Sequence, residues 1–357
     1  MIETAFTRLV GVRHPIVQTG MGWVSGPALV SATANAGGLG ILASATMRLD
    51  ELERAIHAVK SRTGSPFGVN LRADAGDADE RVSLLIKEGV KVASFALAPN
   101  ASMIARLKDA GVVVMPSIGS PRHAEKVAGW GVDAVMLQGS EGGGHTGSIP
   151  TSLLLPAVLD IIDIPVIAAG GYFDGRGLAS ALAYGAAGIG MGTRFLLTSD
   201  SAVPDGVKRE YLARGLDGTV VTTAVDGVPH RMLKSDFVNR LESGGLRRLA
   251  ITASNSLRFK KMSGMSWLHL LRDGRAMRAA HDLSWSQVLV ASNVPIMLRS
   301  GLVEGSTDSG VLASGQVVGM IDDLPSCAEL IERIVAEAED VITRLAREMN
   351  GRKSARA

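Results

Sequence analysis

The chain has 357 residues, 46% of them hydrophobic, and its 37 Lys and Arg nearly balance 35 Asp and Glu. That composition can bury the core of one barrel-sized domain or of two smaller ones, and a formal charge of +2 carries no nucleic-acid signature. A single cysteine, Cys327, excludes an intrachain disulfide framework and leaves a cysteine-based metal site nothing to build on.

No basic leader followed by an apolar stretch opens the sequence. No run reaches the ~18 uninterrupted apolar residues that a spanning helix needs. A cytoplasmic protein without a membrane segment is therefore expected. The charge is unevenly spread: between Asp205 and Ser300, fifteen Lys or Arg face eight Asp or Glu, a local excess of +7. Such an excess is either a solvated face or a surface that attracts an anionic substrate.

In chain order, the first 195 residues repeat a short apolar strand, a loop with Gly, Asn or Ser, and a segment of helical periodicity. Strands are predicted at Ile16–Gln18, Leu39–Leu42, Phe67–Asn70, Val92–Ala96, Val112–Pro116, Ala134–Gln138, Val166–Ala169 and Gly188–Met191. The intervening helices fall near Pro27–Ala36, Asp50–Ser61, Glu80–Glu88, Ala101–Ala110, Pro121–Gly129, Ser152–Ile161 and Gly175–Tyr184. Eight repeats whose strands are apolar on both faces predict an α/β fold, a closed (β/α)8 TIM barrel. An open dinucleotide-binding sheet would carry G-x-G-x-x-G at its first turn, where this chain has QTGMGW. After Phe195 the pattern breaks. The organisation expected is a barrel over 1–203, a mostly helical inserted lid or second domain over 204–310, and a segment over 311–357 that returns to the barrel.

Barrel chemistry sits on the loops after the strand C-termini. Those loops collect most of the glycines, amides and unusual residues: Gln18–Trp23, Ala43–Thr46, Asn70–Arg72, Leu97–Pro99, Ser117–Gly119, Gln138–Gly147, Gly170–Tyr172 and Gly190–Arg194. Glycine amides after strands seven and eight, at Gly170, Gly171, Gly190, Met191, Gly192 and Thr193, suit a phosphate. Tight turns explain either loop alone; the two together at those strands favour the anion site. Asn70 and Gln138 end strands with amides that a polar ligand could engage, although Asn70 also suits a turn.

His145 is the one histidine on the rim and stands in the glycine loop QGSEGGGHTG. Glu141 could orient its ring, bond a neighbouring amide or simply be solvated. Asp174 precedes a helix and reads as its N-cap. The other histidines lack metal-ligand spacing and no metal is expected. Serine and cysteine nucleophile signatures are also missing, so a bound cofactor is expected to carry the chemistry.

With HPIVQTGM, ANAGGLGIL, PFGVN, QGSEGGGHTG, IAAGGYFDGRG, GMGTRFL and SGQVVGMIDDLPSC in this order, the chain resembles the nitronate monooxygenase family of FMN-dependent barrels over nearly its whole length. The resemblance implies FMN contacts at Gly20, Met21, Gly22, Asn70, Gln138, Gly143, Gly171, Gly190, Gly192 and Thr193, and an active-site role for His145. A lysine that some members carry after strand five is replaced near Ser117. More narrowly, the chain is similar to an actinobacterial branch associated with breakdown of the last two steroid rings. That likeness implies dehydrogenation of a bicyclic carboxyl-CoA thioester beside the thioester, with NAD(H) as electron partner. Two other activities of the family stay open at this point, nitronate oxidation by O2 and NAD(P)H:quinone reduction, as does a non-catalytic flavin or CoA binder.

Overall fold

Side-chain caps close three of the loops between strand and helix. Asn100 caps α5 (Ala101–Asp109) by accepting from Met103 N at 2.9 Å. Ser120 caps α6 (Pro121–Gly129) from His123 N at 3.2 Å, with Pro121 supplying a preset φ at the first helical position. Asp174 caps α8 (Gly175–Tyr184), accepting from Gly177 N at 2.9 Å, the role its place in the sequence predicts.

The computed structural model describes residues 2–225, 227–243, 294–306 and 308–354. The helical reading of 244–293, with Trp267, Trp285, Met262, Met265 and Met277, lies outside the described residues. The remaining helices are α1 (Ala5–Val10), α2 (Pro27–Asn35), α3 (Leu49–Lys60), α4 (Ala78–Lys87), α7 (Thr151–Leu159), α9 (Thr193–Leu196), α10 (Asp205–Leu212), α11 (Asp236–Glu242), α12 (Val294–Leu302) and α13 (Cys327–Ser354). Among the described residues no helix is long and apolar enough to cross a membrane.

Eight parallel strands close a barrel: β1 (Ile16–Gln18), β2 (Leu39–Ala43), β3 (Phe67–Leu71), β4 (Val92–Phe95), β5 (Val113–Ile118), β6 (Val135–Gln138), β8 (Val166–Ala169) and β9 (Gly188–Met191). Their ends lie within two residues of the boundaries that the sequence predicts. Leu39 and Ile41, Val113 and Met115, Ala134 and Met136, Ile167 and Ala169 share one buried cluster. This two-residue spacing marks the inward face of each strand, while Leu42, Val135, Leu137 and Ala168 are equally buried on the other. Phe6 and Val10 of α1 belong to the same interior cluster.

Two compact units emerge, Met1–Gly142 with Gly147–Ala202 and Met320–Ala357, and Gly143–Thr146 with Val203–Gly319. In the first, Cys327 is fully buried and its thiol is pushed up to about 12 by that burial, which suits its reading as a small core residue. Arg194, only 2% exposed, donates to the Asp323 carboxylate and to its carbonyl, both at 2.8 Å, and Arg333 meets the other carboxylate oxygen at 2.6 Å.

The second unit contains a three-stranded antiparallel sheet, β10 (Thr219–Thr222), β11 (His230–Leu233) and β7 (Gly144–His145). The segment expected to be mostly helical thus also holds a hairpin, because Thr-Val-Val-Thr is β-branched throughout and suits a half-buried pleat. Val225, Met232, Phe237, Val238 and Met297 form its core. Tyr211 is fully buried and donates from its hydroxyl to Ala313 O at 2.7 Å.

Burial alone would raise the Asp323 carboxyl, and hydrogen bonds from Arg333 and Arg194 outweigh it, holding the group below the usual carboxylate range. A carboxyl depressed by folding stabilises fully above its unfolded value of about 4 and loses that contribution as pH falls through the lower folded value. Asp323→Asn is accordingly less stable than the parent at neutral pH. Acid unfolding followed by circular dichroism shows the gap between the two narrowing below about pH 4.

Candidate active site

Barrel closure sets the first loop beside the last. In the β1–β9 register Val17 is opposite Gly190 and Gln18 opposite Met191. A Cβ on Gly190 would lie 3.3 Å from Ala169 Cβ and 3.4 Å from Thr19 Cγ2, and one on Gly192 would lie 3.2 Å from Thr19 Oγ1 and 3.4 Å from Met21 Sδ. A Cβ on Gly20 would stand 2.6 Å from Asn70 Cβ, a separation that requires glycine. Gly22 faces Thr46. Thus Gly20, Met21, Asn70, Gly190 and Gly192, five residues nominated from three loops, gather on one rim, with Met191 at the end of β9 and Thr193, 8% exposed, opening α9.

Beneath this rim lies a hydrogen-bond network. Gln18 is fully buried, and its Nε2 donates toward Thr19 O, Ser25 Oγ at 2.8 Å and Ile41 O at 3.4 Å. Ser25 Oγ accepts from Met21 N at 2.8 Å and donates to Thr19 O at 2.9 Å. The turn these bonds fix holds Trp23 at φ +65°, the one non-glycine residue with positive φ among the described residues. That backbone region is costly for a bulky side chain and persists only where its surroundings impose it.

The loops after β6 and β8 are joined through Thr151. Glu141 accepts from Thr151 N at 3.0 Å and lies 2.8 Å from Thr151 Oγ1, which is also 3.1 Å from Gly170 O. The Glu141 carboxylate is therefore engaged at the N-terminus of α7, one of the roles left open by the sequence. Gly170 and Gly171 have φ of +106° and +82°, and a Cβ on Gly170 would meet Thr151 Oγ1 at 2.8 Å, so both geometry and space call for glycine. Burial, assisted by the Glu141 charge, raises the Tyr172 phenol above its ordinary range. Gln138 packs its amide over Gly142, where a Cβ would come within 2.6 Å of Nε2.

Gly143 and His145 belong to the second unit. A Cβ on Gly143 would meet Gly315 N at 2.5 Å. His145 is exposed and lies opposite His230 on β11, ring centroids 4.6 Å apart. Sequence reasoning did not single out Thr151, Ser25 or His230. Thr151 carries a faint signal, standing one residue past a proline at the start of an apolar helix. Nothing near His230 announces its partner.

The rim fits a flavin mononucleotide on its own chemistry. It offers closely approached glycine backbone, neutral amides from Asn70 and Gln138, and a buried Gln18 Oε1 that meets no donor among the described residues. Elsewhere, Glu53, His57 and Glu88 lie close enough to share a cation. Lys87 already meets Glu53 at 2.7 Å, and Lys60 meets Glu88 at 3.0 Å, which makes this group an ion-pair network on α3 and α4.

A glycine-lined rim at the C-terminal ends of a closed parallel barrel is the place where barrel enzymes carry their chemistry. The family model described as nitronate monooxygenase matches residues 3–82 and 75–337, and the chain belongs to this family. It is an oxidoreductase, and membership implies FMN. It is 64% identical over 338 residues, 94% of this chain and 96% of the other, to the (3aS,4S,5R,7aS)-5-hydroxy-7a-methyl-1-oxo-octahydro-1H-indene-4-carboxyl-CoA dehydrogenase of Rhodococcus jostii RHA1. The Mycobacterium tuberculosis H37Rv protein of the same name is 64% identical over 341 residues, with the same coverage. The solved structure of FabK from Thermotoga maritima superposes with a TM-score of 0.80 at 33% identity, covering 98% of this chain and all of that one.

Glu141→Ala removes the acceptor at the start of α7 and is expected to cost about 0.5–2 kcal/mol, as for the loss of an N-cap. Thermal unfolding checks this, with a decrease in Tm of about 1–2 °C for each kcal/mol lost in a chain of 357 residues.

Proposed function

We propose that this protein is an FMN-dependent dehydrogenase of a bicyclic, steroid-derived carboxyl-CoA thioester. It removes hydrogen across the carbon–carbon bond beside the thioester, with NAD as the electron partner. The observation that carries this reading is 64% identity to two dehydrogenases of that description along nearly the whole of each chain. The +7 excess between Asp205 and Ser300 supports an anionic substrate such as a CoA ester.

On this reading Gly20, Met21, Gly22, Asn70, Gln138, Gly143, Gly170, Gly171, Gly190, Met191, Gly192 and Thr193 hold the cofactor. The glycines and the Thr193 turn would let main-chain amides approach its phosphate, and the two amide side chains would serve as hydrogen-bond partners for its polar groups. FMN, when bound, supplies the two-electron hydride acceptor that NAD+ later regenerates. The thioester acidifies the hydrogen on its α-carbon, and a ring nitrogen of His145 takes that proton. The electron pair left on the α-carbon forms the new C=C bond as the β-hydrogen departs as hydride.

The test is anaerobic mixing of the flavin-loaded protein with the hydroxy-methyl-oxo-indene carboxyl-CoA thioester. Bleaching of the visible flavin band, an unsaturated thioester by mass spectrometry and NADH formation on adding NAD+ are expected. Failure of the thioester to bleach the flavin, with oxygen uptake seen only on adding an alkyl nitronate, would replace this reading by nitronate oxidation. His145→Ala is expected to lower kcat by about 10²–10⁴-fold while retaining FMN, as loss of a general base does. Gly20→Ala, whose new methyl would stand 2.6 Å from Asn70 Cβ, is expected to lose FMN on gel filtration while keeping the far-ultraviolet spectrum of the parent.

A further inference from the structure

We infer that His230 is the positioning residue for His145, so that the base is held as one half of a cross-strand imidazole pair. The inference rests on the reading of His145 as the base. Both residues lie in the second unit, and the ladder between β11 and β7 places them directly opposite one another. Their ring centroids are 4.6 Å apart and the ring planes are inclined at 46°, within the range of direct aromatic packing.

The two environments are unequal, and that asymmetry is the basis of the assignment. His145 is exposed, whereas His230 is 2% exposed. β7 has only two residues, and the first, Gly144, takes φ +73°. The ladder therefore gives the His145 ring the His230 ring as its cross-strand neighbour. β11 is secured on both sides. Thr222 of β10 pairs with His230, Arg231 Nη1 donates to Thr219 Oγ1 at 3.0 Å, and Met232 bridges to Ala313. Thr146 N donates to Pro229 O at 3.1 Å, which fixes β7 against this frame. The buried ring is thus the fixed surface, and the exposed ring lies on it.

A proton-abstracting group gains its rate from being held in line with the bond it attacks, and a displacement of about 1 Å costs on the order of 100-fold. Packing on His230 restricts His145 about χ1 and χ2 before the substrate arrives. Removing the His230 ring should therefore lower kcat and leave KM nearly unchanged, since the thioester does not bind through this contact.

The test uses the flavin-loaded full chain with its seven histidines labelled at Cε1, the His145 signal being assigned by its loss in His145→Gln. In the parent, the His145 ring protons are displaced by the ring current of His230. His230→Ala is expected to abolish that displacement and to slow flavin bleaching by the hydroxy-methyl-oxo-indene carboxyl-CoA thioester about 10-fold to 100-fold. His230→Phe should restore both. Should the alanine variant not fold, His230→Leu fills the buried space without a ring current and serves in its place. A His145 signal that does not move when the His230 ring is removed overturns the inference, as does parent-like bleaching once the displacement has gone. If His145→Gln itself bleaches as the parent does, the base reading fails, and the ring-current result separately decides whether the pair exists.

Discussion

When β9 pairs back to β1, the residues that end the two strands become neighbours, and two loops as far apart in the chain as Gln18 and Met191 are placed side by side. The rest of the site depends on this closure. A barrel strand carries side chains inward and outward by turns, and its end exposes main chain at one face. With glycine at 20, 190 and 192, little but backbone occupies that face, and Asn70 fits against Gly20 only because a methyl group is missing there. Gln18 and Ser25 then hold the first loop from below. Under the function proposed above, cofactor binding on this scaffold turns chiefly on how close main chain can come.

The proposed acid–base chemistry has a different origin. Its imidazole comes from a two-residue strand in an antiparallel sheet, in a unit with its own apolar core. A polar cradle of barrel backbone and a histidine supported by a hairpin are separate structural solutions.

Much of the barrel was legible in the sequence. Strands such as Leu39–Ala43 and Val166–Ala169 are apolar on both faces, and the helices between them begin at recognisable caps such as Ser120 and Asp174. Chemistry at strand ends follows from the architecture, so Asn70, Gln138 and the glycines of the last two loops could be nominated without coordinates. The hairpin was not legible. Thr219–Thr222 and His230–Leu233 are four residues each, too short for their alternation to stand out in a basic, Met-bearing stretch. His230 escaped for a related reason, because its meaning comes from a pairing with a strand far earlier in the chain. Glu141 was visible as a loop acid, but its choice of Thr151 depended on where α7 begins.

The chain leaves the barrel unit after Ala202 and re-enters it at Met320. Arg194, just before the exit, is locked to Asp323, just after the return. Everything between is therefore a loop whose ends are pinned within one unit. Closing a flexible loop becomes more costly only with the logarithm of its length, by about 0.6 kcal/mol for each doubling. By this measure a long excursion costs the barrel little more to close than a short one. Whatever the chain carries between these two fixed points, the pairing of β9 with β1 that closes the barrel is made before it leaves.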